Sequence, residues 1–142
     1  MKRTASAVWK GNFKQGSGTV STPNGVLKNT PYSAASRFES GTGTNPEELV
    51  AAAHAGCFAM ALSLMLEKAG FNAESLDASA TVTLENLPEK GFTVTSSHLV
   101  LQARVPGISK EKFQEIAGQA KAGCPISKLL NATLTLDATL VG

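Results

Sequence analysis

The sequence predicts an α+β domain with mainly antiparallel pairing, and three observations carry that expectation. A long apolar run, Val50 to Leu66, lies between helix start and stop signals. Clean two-residue alternation closes the chain from Ala132 to Leu140. Turn signals divide the rest so that the order reads strands, helix, strands, helix, strand. At 142 residues and 42% hydrophobic composition, the chain suits one domain spanning 1–142 that buries about two-thirds of its unfolded surface.

The first forty residues read as a meander of short strands at Ala5–Trp9, Gly18–Ser21, Val26–Lys28 and Ser33–Phe38. They are punctuated by Gly16-Ser17-Gly18 and by Thr22-Pro23-Asn24-Gly25, where Asn-Gly is a strong turn signal. After a loop from Glu39 to Thr44, Asn45 is placed to cap a helix, with Pro46 at its first position and Glu48 set to close a capping box. Gly70 is the expected left-handed stop, so the helix should end at Ala69. Strands at Ala73–Leu87 and Phe92–Val105 follow, joined across Pro88-Glu89-Lys90-Gly91 as a hairpin. Apolar parity in the second changes around Ser96-Ser97, which predicts a bulge or burial on both faces. Ser109 caps a further helix carrying Phe113, Ile116, Ala117 and Ala120 at helical spacing. Cys124-Pro125 then starts a separate helical turn to Leu130. The closing strand puts Leu134, Leu136 and Leu140 on one face and Thr133, Thr135 and Asp137 on the other.

The charge pattern narrows the partners. Thirteen basic and 11 acidic residues, net +2, are scattered without a block that would track a phosphate backbone, which argues against nucleic acid. Val50–Leu66 approaches the lower length limit of a membrane span. Its alanines, together with His54, Gly56 and Ser63 and the strand-like flanks, instead predict a central helix packed on all sides, in part by a second subunit. The amino terminus has positive charge but no continuous apolar stretch behind it, so a cytoplasmic protein without a membrane partner is expected. Two cysteines in that reducing compartment point to reactivity, metal binding or simple burial before a permanent bridge. Two sulfurs and two scattered histidines lack the spacing of a zinc site.

Cys57 and Cys124 are therefore the residues to weigh. Brought together by the fold, they would form a nucleophile and a partner sulfur able to trap its oxidised form. By position alone Cys57 reads as a small buried hydrophobe, and a thiol in apolar surroundings has a raised pKa unless a cation or donors assist it. His54, one turn earlier, reads as a packed, hydrogen-bonded core histidine. Cys124 precedes a helix start whose dipole favours thiolate, so local sequence makes it the more acidic thiol and leaves the order of attack open. Arg37 lies in a strand-like segment and reads as a surface charge. A capping box would use Glu48 and leave Glu47 free to orient a guanidinium. Glu47 precedes Cys57 by ten residues, about 15 Å along one helix, so it would serve a Cys57 site only through a bridging side chain or from a second subunit. The small-residue face of Ala52, Ala53, Gly56 and Met60 would allow the close helix approach of such a dimer.

Gly43-Thr44-Asn45-Pro46-Glu47-Glu48-Leu49, Ala52-Ala53-His54-Ala55-Gly56-Cys57-Phe58 and Lys121-Ala122-Gly123-Cys124-Pro125 resemble the OsmC family, as do Gly18-Thr19-Val20-Ser21-Thr22, Arg37-Phe38-Glu39 and Thr135-Leu136-Asp137. The match runs in order over nearly the whole chain. The resemblance implies antiparallel sheets wrapped around two long central helices in an intertwined homodimer, with two active sites at its interface. It implies a cysteine-based peroxidase in oxidative and osmotic stress defence. Such an enzyme reduces organic hydroperoxides, and hydrogen peroxide more weakly, with no metal or bound cofactor and with a lipoyl-type or thioredoxin-type dithiol as external reductant. By position it makes Cys57 the peroxidatic thiol, Cys124 the resolving thiol, Arg37 the cation favouring the thiolate and Glu47 the acid holding the arginine. In the related organic hydroperoxide resistance proteins the arginine comes from an earlier strand, so Arg37 places this chain with the OsmC branch. An apolar pocket lined by Phe38, Phe58 and Met60 would favour alkyl peroxides. The competing class is a non-catalytic protein of the same fold that binds a small apolar ligand. A thioredoxin-like oxidoreductase suffers from the absence of Cys-x-x-Cys.

Overall fold

Trp9, Gly18 and Tyr32 stand side by side across three short strands, β1 (Ser6–Lys10), β2 (Ser17–Ser21) and β3 (Thr30–Tyr32), paired antiparallel in the order β1-β2-β3. The computed structural model describes residues 1–142, which form two compact units, Met1–Leu49 and Val50–Gly142. In the first unit Gly18 is required between its two aromatic neighbours. A Cβ there would lie 2.5 Å from the Tyr32 ring and 2.7 Å from the Trp9 ring, whose centroids are 5.4 Å apart.

Two expectations for this unit are corrected. Val26–Lys28 is part of a turn, because Thr22 and Asn24 side chains take up the backbone N–H groups of Leu27 and Val26 and leave no ladder to join. Ser33–Phe38 is not a strand but contains a one-turn helix, α1 (Ala34–Phe38). Ser33 caps it, its hydroxyl accepting from the Ser36 N–H while the Ser36 hydroxyl accepts from the Ser33 N–H.

The long helix α2 (Pro46–Lys68) starts and stops where the sequence expects, within one residue. Asn45 Oδ1 accepts the Glu48 N–H at 2.8 Å, but the Glu48 carboxylate takes the Thr44 hydroxyl at 3.1 Å instead of closing the box on Asn45. At the far end Gly70, at φ 90°, donates to the Glu67 carbonyl and Phe71 donates to that of Leu66, a Schellman closure.

The second unit is a three-stranded sheet, β4 (Ser75–Leu87), β5 (Gly91–Arg104) and β6 (Thr133–Leu140), in the order β4-β5-β6, with α3 (Lys110–Gly123) and α4 (Pro125–Leu129) between the last two strands. β4 and β5 form the expected hairpin, and the expected bulge is present: Thr83 pairs with Ser96 but Leu84 with Val94, leaving Thr95 as the extra residue. The bulge puts Leu99, Leu101 and Ala103 on the buried face. β6 runs parallel to β5, in contrast to the antiparallel pairing of the other strands, since the α3–α4 crossover returns the chain in the same direction. Phe58, Leu62 and Leu66 of α2 meet the inward face of β5 and Phe113, Ile116, Ala117 and Ala120 of α3 in one core, which Cys124 joins.

Candidate active site

In the first unit, short-range hydrogen bonds bring together two charged residues ten positions apart. The buried Ser36 hydroxyl donates to the Thr44 carbonyl at 2.8 Å, and Asn45 Nδ2 donates to the Ser36 carbonyl at 3.0 Å. These bonds tie α1 to the start of α2 and thereby set Arg37 against Glu47. Arg37 Nη2 donates to Glu47 Oε1 at 2.7 Å and Nε to Oε2 at 3.1 Å, a fork-to-fork pair that fixes the guanidinium plane. Glu47 occupies the Nε edge, and no bond from Nη1 accompanies it. Arg37 also lies 5.3 Å from the Phe38 ring centroid. Arg37 lies on α1 and not on a strand, and its part-buried pairing with Glu47 corrects the reading of a simple surface charge.

A pocket of about 280 Å³ opens beside this pair, lined by Trp9, Phe13, Tyr32, Ser33, Ala34, Arg37 and Pro46. It is a largely apolar cleft with one guanidinium in its wall. The lining expected from Phe38, Phe58 and Met60 is corrected. Phe58 is fully buried in the core of the second unit, Met60 is 76% exposed on α2, and Phe38 packs tilted against Phe13, with ring centroids 6.0 Å apart, outside the lining. Replacing Ser36 with alanine is expected to strip the Thr44 carbonyl and the Ser33 N–H of their buried partner, costing about 1–3 kcal/mol. Urea unfolding would measure that loss, and Ser36→Thr should recover part of it.

In the second unit the two cysteines meet. Their sulfurs are 2.7 Å apart, both as free thiols, so a disulfide of about 2.05 Å needs only a sub-ångström approach. The partners differ in access: Cys124 is fully buried, whereas Cys57 is partly exposed. Burial, then the adjacent Cys124 sulfur, pushes the Cys57 thiol above its ordinary pKa, against a smaller lowering by the Ile126 N–H. Burial also opposes ionisation of Cys124. There, however, the Cys57 thiol, the Ser127 N–H and hydroxyl and the Ile126 N–H outweigh it and bring Cys124 below its ordinary value. Within this unit the neighbours of Cys124 favour its ionisation and those of Cys57 oppose it, so Cys57 needs a cation or further donors to become the thiolate.

His54 is wholly buried, as expected of a core histidine. Its Nδ1 lies 2.6 Å from the Ser97 hydroxyl and its Nε2 2.8 Å from that of Ser127. Burial lowers its pKa and keeps the ring neutral. The unfolded chain therefore binds a proton that the folded one refuses, and stability falls as pH drops below about 6.5, the unfolded value. Thermal unfolding between pH 7.5 and 5 should show that loss, and His54→Gln should flatten it.

Sequence reasoning missed Ser97, Ser127, Trp9, Phe13 and Tyr32. For Ser127 a signal existed: in Cys124-Pro125-Ile126-Ser127 the serine stands three residues after the residue that opens α4, the spacing at which a side chain turns back to that residue.

Comparison with known proteins identifies the family. The profile of the family described as OsmC-like protein matches residues 39–139. The chain is 50% identical over 138 residues to Peroxiredoxin OsmC of Escherichia coli, covering 97% of this chain and 96% of that protein. It is 29% identical to the organic hydroperoxide resistance protein OhrB of Bacillus subtilis over 87% of this chain and 88% of that one. The OhrB crystal structure superimposes with a TM-score of 0.69 at 27% identity over 97% and 98% of the two chains. An OsmC-like protein from Vibrio cholerae gives 0.78 at 19% identity over 97% and 99%, a likeness of fold alone. The α+β architecture of two sheets and helices is thus that of solved OsmC and Ohr structures, and the chain belongs to the OsmC-like protein family.

Proposed function

We propose that the protein is a cysteine-based peroxidase that reduces organic hydroperoxides to alcohols in stress defence and is recycled by an external thiol. The observation that carries this reading is the pair of free thiols 2.7 Å apart, one reachable and one buried. The names of its relatives, Peroxiredoxin OsmC and organic hydroperoxide resistance protein, support the same chemistry.

Cys57 is the attacking thiol because it is the accessible one. Its thiolate attacks the distal peroxide oxygen, the O–O bond breaks, and the alkoxide leaves and takes a proton to become the alcohol. Cys57 remains as a sulfenic acid. Cys124 thiolate then attacks the Cys57 sulfur, hydroxide leaves as water after protonation, and a Cys57–Cys124 disulfide results. A dithiol returns two electrons and two protons and departs as its own disulfide. Arg37 is the cation that this scheme requires for the Cys57 thiolate and the developing oxyanion, and Glu47 is the acid that holds its plane. The first unit's apolar cleft beside Arg37 has room for an alkyl or aryl group, which hydrogen peroxide lacks.

The working form is a homodimer. Ala52, Ala53, Gly56 and Met60 lie exposed along α2, and only 22% of the most apolar window of that helix is buried within the chain. A second copy of the helix is the cover that fits a face of small residues. A Cβ at Gly56 meets nothing within 4 Å in the chain, so Gly56→Leu should preserve the fold and convert the dimer to monomer in sedimentation velocity. Two reduced thiols suit a cytoplasmic location, and a lipoyl-type or thioredoxin-type dithiol is the recycling partner. Peroxide consumption with dithiothreitol tests the function. Cumene hydroperoxide should be consumed faster than hydrogen peroxide, and no consumption of either would refute it.

A further inference from the structure

We propose that His54 and Ser127 form a hydrogen-bond relay that directs a hydroxyl proton onto the Cys124 sulfur, and that this relay makes Cys124 the better leaving group when the Cys57–Cys124 disulfide is reduced. The second half rests on the two-cysteine reading above; the first half does not.

The geometry leaves few choices. A neutral imidazole has one N–H and one bare nitrogen, and both nitrogens of His54 face serine hydroxyls. Ser127 has a single hydroxyl proton and two neighbours that could receive it, His54 Nε2 and the Cys124 sulfur. If His54 carries its proton on Nε2, it donates to Ser127 Oγ, which frees the Ser127 proton for Cys124, while the Ser97 hydroxyl donates to Nδ1. With the proton on Nδ1, every bond in the chain reverses and the Ser127 proton is held by His54.

The first arrangement prevails when Cys124 is a thiolate, because a hydrogen bond to an ionised acceptor is roughly twice as strong as a neutral one. The groups facing Cys124 are Cys57 from α2 and Ile126 and Ser127 from α4. Those facing His54 are Ser97 from β5 and Ser127. Cys57 is the one titratable group among the neighbours of Cys124, and uncharged donors supply the rest of its stabilisation.

The consequence falls on recycling. A reductant thiolate reaches the partly exposed Cys57 sulfur before the buried Cys124. As its sulfur bonds to Cys57, the electron pair of the Cys57–Cys124 bond leaves on Cys124, and a lower leaving-group pKa speeds that step. The second reductant thiol then displaces Cys57 and completes the reductant's own disulfide, and its two protons restore the protein thiols. His54 and Ser127 act as positioning residues: neither bonds to substrate, and the relay determines where a proton points.

Nitrogen-15 NMR of the reduced wild-type protein, at a pH above its thiolate midpoint read at 240 nm, tests the relay without any variant. A neutral His54 protonated on Nε2 is expected, and a proton on Nδ1 overturns the proposal. In a Cys57→Ser background, thiolate absorbance at 240 nm follows Cys124 alone. Adding Ser127→Ala should raise the midpoint by about one unit, the worth of one hydrogen bond to a charge, whereas Ser127→Thr should retain it. An unchanged midpoint in a folded Ser127→Ala protein overturns the relay. Finally, with the disulfide formed by diamide, dithiothreitol should reduce the Ser127→Ala protein several-fold more slowly than wild type, and equal rates would remove the recycling role. None of these readouts requires peroxide turnover, so an inactive peroxidase with the expected tautomer and midpoint would sink the enzyme reading and leave the relay standing.

Discussion

Cys57→Ser is expected to abolish peroxide turnover, with a loss on the order of 10³-fold or more, because the serine hydroxyl stays protonated where a thiol can ionise and no other group can take its place as nucleophile. Cys124→Ser should behave differently. One equivalent of peroxide would still convert Cys57 to a sulfenic acid, which dimedone traps, but no disulfide could form and steady turnover with dithiol should stop or slow sharply. The contrast rests on access, since Cys57 is partly exposed and Cys124 fully buried. Stopped-flow peroxide consumption together with sulfenic acid trapping measures both. A sulfenic acid trapped on Cys124 in the Cys57→Ser protein would reverse the order of attack.

The second large effect is expected at Arg37. Arg37→Ala should slow peroxide attack by about 10²–10³-fold, the usual loss when one fixed donor to a developing oxyanion is removed, and raise the apparent pKa of Cys57 further. The sign follows from the pair. Burial and the Cys124 sulfur already push Cys57 up, so under the role proposed for Arg37 its removal should leave less thiolate at neutral pH, and the lost rate should return in part as pH rises. Arg37→Lys keeps the charge but not the fork that holds Glu47 through Nε and Nη2, so it should recover only part of the activity. Glu47→Gln should fall between wild type and Arg37→Ala. Glu48→Ala removes an acid bonded to the Thr44 hydroxyl near the start of α2 and should cost only stability, about 1 kcal/mol or less. Rate against pH for the four variants is the measurement. Equal activity losses at Glu47 and Glu48 would mean that the wrong glutamate holds the arginine.

Much of this architecture is legible in the sequence where the cause is local. Asn45 and Pro46 announce the start of α2 and Gly70 its end, because caps are set by one or two residues. The parity change near Ser96 announces the bulge at Thr95. What the sequence hides has two kinds of cause. α1 is five residues long, too short for apolar periodicity, and is held by the reciprocal Ser33 and Ser36 hydroxyl bonds, so the segment reads as a short strand instead. The parallel pairing of β6 depends on where the α3–α4 crossover delivers the chain, which the alternation of β6 does not encode. At the site, Arg37–Glu47 is legible as a possibility because Glu47 is the glutamate that the cap leaves free. The His54 contacts to Ser97 and Ser127 span 43 and 73 residues and have no local signature. The pocket escapes sequence reading for the same reason, since Trp9, Phe13 and Tyr32 come from separate segments that only the β1-β2-β3 sheet and its turns bring together.

The most direct test of two-cysteine peroxidase chemistry is the intact mass of the reduced protein after one equivalent of cumene hydroperoxide, followed by non-reducing peptide mapping. A loss of two hydrogens within the dead time of mixing and a single cross-linked peptide pair containing Cys57 and Cys124 are expected. An unchanged mass, or added oxygen with no Cys57–Cys124 link, would contradict it.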